Sequence, residues 1–270
     1  MIRNPAVAGQ FYSDMKESLI KEVKELTKAS PEKKEDAIGV ISPHAGYLYS
    51  GLVAGLTLSS IKPKPIYVIM GPNHTGLGSP FSLSTSDSWA TPLGNVTINK
   101  TLAEKILKNC SEITKDEFAH IQEHSIEIQL PILQILQENF TIVPIVISSG
   151  EIGQYRKIGQ AIGKSIRELR LEKDVTIIAS SDMTHYESQD SAREKDFRAI
   201  DAILKLDEEA LVECVRKFDI SMCGYAPVAI MIAAAKSLGA KKALLIKYQT
   251  SGDVSGDYSS VVGYAGIVIK

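Results

Sequence analysis

Short apolar runs rich in Val and Ile recur along the chain, and they limit its architecture more than any other feature. They lie at residues 37–41, 65–70, 141–147, 175–179, 243–247 and 261–269. Between most of them sit segments whose apolar residues follow helical spacing: 102–107, 126–136, 155–169, 192–206, 208–218 and 226–238. An apolar run too short for a helix and bounded by turn residues is a buried strand. Strands alternating with helices of this length specify an α/β fold around a mostly parallel or mixed sheet flanked by helices. A charged connector, "SPEKKE" at 30–35, follows an N-terminal helix, and "TSDSWATPLGN" at 85–95 marks a loop excursion or hairpin. With no Gly/Ser-rich or Pro-rich linker and no repeat, residues 1–270 are expected to form a single domain.

Bulk properties remove several classes of function. A formal net charge of −2 offers no basic surface to nucleic acid or anionic lipid. No run approaches the length of a membrane span, and "MIRNPAVAGQFYSDMK" lacks the basic and apolar regions of a signal peptide. Cys110, Cys214 and Cys223 are too few and too scattered for a disulfide framework. A soluble, cytoplasmic protein is the expectation, with neither nucleic acid nor membrane as partner.

Open α/β sheets bind ligands beyond the carboxyl ends of their strands, so the residues after each run carry the most information. Run 37–41 leads into "SPHAGYLYSG" with His44, and run 65–70 into "GPNHTG" with His74. Run 175–179 leads into "SSDMTHYES" with Asp182 and His185. Three of the five histidines thus follow strands, and parallel strands would bring them to one rim. Imidazole there serves as a metal ligand or proton carrier, because its pKa is near neutral and a neighbour can fix its second nitrogen. Asp182 could orient His185, bind a cation or cap the following helix. Tyr12, Tyr47, Tyr49, Tyr186 and Tyr225 fall near the same rim and could line a pocket for a planar substrate.

Two further features compete for attention. His120, Glu123 and His124 spell H-x-x-E-H, the spacing of an inverted zinc-peptidase motif. On a helix both rings could hold zinc while Glu123 activates water, but the third acidic ligand that motif needs is not identifiable in the sequence. The preferred alternative places His124 and Glu127, one turn apart, on a polar face under the site that orients its ligands. Cys223, in "SMCGYAP", sits in a turn before a helix, where a thiolate ligand and a small apolar filler are both reasonable. Cys110 and Cys214 lie within helical patterns and fit the filler role.

Taken together, "RNPAVAGQFY", "SPHAGYLYSG", "GPNHTG", "EHSIEIQLP", "SSDMTHY", "MCGYAP" and "DYSSVVGYAG" resemble, in order and over almost the full chain, the Memo family. That family is related in fold to the LigB-type class III extradiol dioxygenases, which implies a sandwich-like α/β domain. The resemblance implies His44, His74 and Cys223 as metal ligands, with Asp182 and His185 in the same pocket. His185 would stand at the dioxygenases' acid/base position, and His124 would support or line the site. A thiolate would replace the carboxylate of a two-His, one-carboxylate iron site, so iron or copper is implied, with zinc compatible. The expected function is a metal-dependent non-haem oxidoreductase acting on a small molecule. The alternative implied by animal members is a non-enzymatic module binding a phosphotyrosine-like peptide. Prokaryotic members further imply a radical-SAM enzyme and an AMMECR1-like domain as pathway partners.

Overall fold

A computed structural model describes residues 1–270. Its strands are β1 (Ile2–Arg3), β2 (Gly39–Ser42), β3 (Ile66–Pro72), β4 (Phe81–Leu83), β5 (Ser88–Thr91) and β6 (Gly94–Ile98), then β7 (Thr114–Lys115), β8 (Thr141–Ile147), β9 (Val175–Ser180), β10 (His185–Glu187), β11 (Ala243–Thr250) and β12 (Val261–Ile269). The helices are α1 (Lys16–Leu26), α2 (Tyr47–Ser59), α3 (Lys100–Asn109), α4 (Leu130–Leu136), α5 (Ile152–Glu168), α6 (Gln189–Leu204), α7 (Glu208–Lys217), α8 (Tyr225–Ser237) and the short α9 (Gly252–Ser255).

All the strands belong to one mixed sheet, whose main path runs β1-β5-β6-β8-β3-β9-β2-β12-β10. From β6 to β2 every neighbouring pair is parallel, whereas β12 runs antiparallel to β2, β10 and β11. The expected hairpin exists as β5 and β6, paired antiparallel.

The central strands are apolar on both faces because helices cover both sides, as a parallel core requires. Strand periodicity then sorts their side chains. Ile41, Val68, Met70, Ile177, Ala179 and Ile267 join a core beneath α3, α5, α7 and α8. Their immediate neighbours Val40, Tyr67, Ile69, Ile178 and Val268 join a second core beneath α1, α2 and α4.

Helix α2 lies where no helix was expected. Its sequence, "YLYSGLVAGLTLS", is apolar nearly all round and holds two glycines, so it lacks the amphipathic stripe that announces a helix. Gly55 is needed there, because an added Cβ would sit 2.5 Å from the carbonyl oxygen of Leu26. The expected helix at 126–136 is also divided, with a 3-10 turn at Glu127–Gln129 before α4.

Candidate functional site

Strands β3, β9 and β2 are adjacent and parallel, and two residues beyond each end stand His74, Asp182 and His44. Ser42 and Ser180 are Cα partners across β2 and β9, so His44 and Asp182 leave the sheet side by side. Asp182 Oδ1 accepts the amides of His44 at 2.7 Å and Ala45 at 3.4 Å. It neither caps the following helix, whose N-cap is Ser188, nor forms a hydrogen bond with His185. Burial raises its pKa to about 6, against the lowering effect of those amides.

Cys223 arrives from the turn before α8. Gly224 permits this approach, since a Cβ there would meet the Ser180 carbonyl oxygen at 2.4 Å. Cys223 Sγ lies 3.3 Å from His44 Nε2 and accepts the Asp182 amide at 3.3 Å. One donor atom from each of His44, His74 and Cys223 lies within 4.8 Å of the other two.

The loop carrying "HIQEHS" crosses the same strand ends, but not as a helix. His120 is buried against Trp89, its Nε2 3.0 Å from the Ser82 carbonyl oxygen. The H-x-x-E-H segment therefore does not present its histidines as a pair, and the peptidase geometry is absent. Glu123, fully buried, instead accepts from His74 Nδ1 at 3.0 Å and from the amides of His74, His124 and Ser125 at 2.6–2.8 Å. Burial works against this carboxylate, yet His74 and the amides carry its pKa down to about 2. Burial likewise opposes a charged His74, and Glu123 outweighs it to move His74 upward.

The carboxylate under the ligands is thus Glu123, and the expected Glu127 has another task. Glu127 is buried and gathers the N-terminal segment through the Arg3 guanidinium, the amides of Ala6 and Val7, and the Tyr12 hydroxyl. That anchorage places Phe11, whose ring meets His124 edge-on at 4.9 Å. His124 in turn stacks on His74 at 4.7 Å.

His185 belongs to β10 and lines the same cavity. Its amide donates to Ser221 Oγ at 2.7 Å, and its Nδ1 lies 2.9 Å from the Ser221 carbonyl oxygen. Ser221, not Asp182, orients this ring. A carbonyl and a carboxylate can only accept, so His185 and His74 each carry a proton on Nδ1, and in the neutral ring Nε2 is the bare nitrogen.

The cavity above these groups measures about 700 Å³ and is walled by Phe11, Tyr49, Tyr186 and Tyr264. Tyr49 and Tyr186 fulfil the expectation of a tyrosine rim. Tyr12, Tyr47 and Tyr225 do not: Tyr12 bonds Glu127, Tyr47 donates to the Ile128 carbonyl, and Tyr225 packs on Tyr155. Phe11 and Tyr264 were not anticipated, because nothing local distinguishes them from core aromatics.

A family model described as Memo-like protein matches residues 3–268. The chain belongs to the Memo family. A MEMO1 family protein of Methanopyrus kandleri is 44% identical over 283 residues, covering 100% of this chain and 99% of the relative. One from Methanosarcina acetivorans is 43% identical over 270 residues, covering 100% and 99%. Among solved structures, an uncharacterized protein from Escherichia coli K12 aligns with a TM-score of 0.57 at 13% identity, over 85% of this chain and 98% of that one. That likeness extends the Memo fold to a distant sequence. In this Memo protein no helix is long and apolar enough to cross a membrane.

The donors suit a first-row metal ion. Bonds of about 2.0–2.3 Å place ligands on one ion roughly 3–4 Å apart, and His44 Nε2 and Cys223 Sγ already stand 3.3 Å apart. Burial, then His74 and His124, hold His44 well below its ordinary pKa and therefore neutral. Burial and then Asp182 push the Cys223 thiol well up. A cation in the cavity would favour the thiolate instead.

Proposed function

We propose that the cavity is the active site of a metal-dependent, non-haem redox protein, with iron or copper held by His44, His74 and Cys223. The observation that carries this reading is the His44–His74–Cys223 cluster at the ends of adjacent strands, with a buried carboxylate behind His74. Two nitrogens and a sulfur suit iron, copper or zinc better than a hard oxygen-seeking ion. Bound iron or copper would supply a redox-active, Lewis-acidic centre for substrate and oxygen.

The protein's own groups supply the rest. With its Nδ1 held at the Ser221 carbonyl, His185 can take or return a proton at Nε2. Asp182 fixes the backbone of His44 and Ala45, while His124 and Phe11 form a flat wall beside His74. The aromatic walls fit a small planar substrate. A phosphotyrosine-like ligand fits less well, because Asp182 and Asp257 line the cavity while no lysine or arginine does.

The test is elemental analysis and absorption spectroscopy of protein purified without oxygen or an affinity metal column. Near-stoichiometric iron or copper in the wild type, lost in folded His44→Ala and Cys223→Ala, supports the reading. Metal-free protein that binds a phosphotyrosine peptide despite chelator overturns it in favour of a binding module.

A further inference from the structure

For His74 and His185 the proton position follows at once, because each Nδ1 faces an atom that can only accept. His44 is different. Its Nδ1 lies 2.9 Å from Ser180 Oγ, and a hydroxyl can either donate to that nitrogen or accept from it. The tautomer of His44 therefore depends on where the Ser180 proton goes.

Two other contacts decide this. Ser180 Oγ lies 2.6 Å from the Ser125 carbonyl oxygen. Oxygens that close need a hydrogen between them, and the carbonyl has none, so the Ser180 proton is committed to Ser125. Gln129 Nε2 lies 2.9 Å from Ser180 Oγ and 2.9 Å from the Pro43 carbonyl oxygen. That carbonyl fixes the amide's orientation, because the reversed amide would set oxygen against oxygen. Gln129 is then a donor to Ser180 and occupies one of its two lone pairs. A single lone pair remains, and only an N–H can fill it.

We infer that Ser180 is the positioning residue of His44, holding the imidazole as the Nδ1–H tautomer with Nε2 bare toward Cys223. The inference rests on the metal-site reading for its purpose, though not for its geometry. Two main-chain carbonyls, of Ser125 and Pro43, set the sense of the whole relay. Ser180, Ser125 and Gln129 are all fully buried, so no solvent competes for these hydrogen bonds. The arrangement does for His44 what Glu123 does for His74, by proton counting instead of charge. It holds His44 with Nε2 free to bind, and the relay behind its Nδ1 contains no charged group.

The experiment is ¹⁵N NMR of the imidazoles in metal-free protein at neutral to mildly alkaline pH, assigned by single His→Gln replacements. The expected wild-type spectrum shows His44 protonated at Nδ1 and bare at Nε2. In Ser180→Ala the His44 signals should shift toward the other tautomer, and affinity for Cu(I) or Fe(II) should fall by about 10–100-fold. Gln129→Leu is the matched control, since it also removes buried hydrogen bonds but leaves the Ser180 proton on Ser125. It should keep the Nδ1–H tautomer. An Nε2-protonated His44 in the wild type overturns the inference, whatever Ser180→Ala does. So does an unchanged tautomer in folded Ser180→Ala. Failure of the metal reading looks different: an Nδ1-protonated His44 in protein that retains no metal.

Discussion

His44 Nε2 and Cys223 Sγ approach to 3.3 Å although 179 positions separate them in the chain. One follows β2 and the other precedes α8, and the packing of that turn against the strand ends brings them together. The sulfur is what separates this site from an all-oxygen and imidazole one, so Cys223→Ser tests it directly. Serine keeps the size but offers a hard, weakly acidic oxygen. Copper retention should fall by more than the roughly 10–100-fold typical of losing an outer partner, and iron retention should fall less. Equal copper content in the two proteins after anaerobic purification would remove Cys223 from the ligand set.

Glu123→Gln separates orientation from coordination. The carboxylate accepts three amides and the Nδ1 of His74, and a neutral amide cannot serve them all. The expected costs are about 1–3 kcal/mol of stability from stranded buried donors and roughly 10–100-fold in metal affinity from a loosened His74. Chelator competition and thermal melting measure the two. Unchanged affinity in a destabilised variant would show that Glu123 serves the loop and not the ligand.

Most of the sheet could be read directly, because buried parallel strands are continuous apolar runs. Residues 141–147 and 261–269 form strands with those very bounds. Strand β11 continues past 247 to Thr250, where the buried polar residues Gln249 and Thr250 end the apolar signal but not the ladder. His44 and His74 could be placed from strand-end logic, whereas Asp182, not His185, is the equivalent residue on β9. The role of Glu123 was hidden behind the H-x-x-E-H spacing, since a five-residue pattern cannot show that its backbone is not helical. Ser180 was equally silent, because its meaning depends on three partners, His44, Ser125 and Gln129, that are distant from it in the chain.

Arg3 shows how far from the cavity the site's framework begins. Its guanidinium pairs with Glu127, donates to the carbonyls of His120 and Glu123, and lies 4.4 Å from the centre of the Trp89 ring. Arg3→Met leaves Glu127 as an unpaired buried charge, which should cost about 3–5 kcal/mol. Arg3→Lys should recover only part of that, because an ammonium cannot reach all three acceptors in one plane. Chemical denaturation of both variants checks the order, and a fully stable Arg3→Lys would contradict it.

Glu208 supplies a pH test remote from the cavity. It starts α7 and accepts from Arg156 of α5 at 2.9 Å and Lys236 of α8 at 2.8 Å. Burial raises its pKa, but the two cations prevail and the net shift is downward from 4.5. The unfolded chain therefore binds the proton more readily, so this stabilisation is complete above about pH 5 and fades as pH falls through the depressed folded value. Because both partners are partly exposed, Glu208→Gln should cost only about 1–2 kcal/mol at pH 7. The wild-type advantage should shrink on acidification. A difference independent of pH would locate the effect in packing.

Tyr186 stands at the mouth of the cavity with φ at +59° and 79% of its surface exposed. The ladder between β10 and β12 is irregular at this position, between His185 and Glu187. A bulge turns a side chain out of a strand's normal alternation, and a left-handed backbone costs a tyrosine on the order of 1 kcal/mol or more. So little of the residue is buried that packing offsets little of this cost, and the bulge leaves the ring edge-on to His185, 5.8 Å between centroids. Tyr186→Asn keeps a residue that tolerates the left-handed region. It should raise stability by about 1 kcal/mol in denaturant unfolding while leaving the metal content unchanged. A loss of stability would mean that the ring packs against the rim and is not held there under strain.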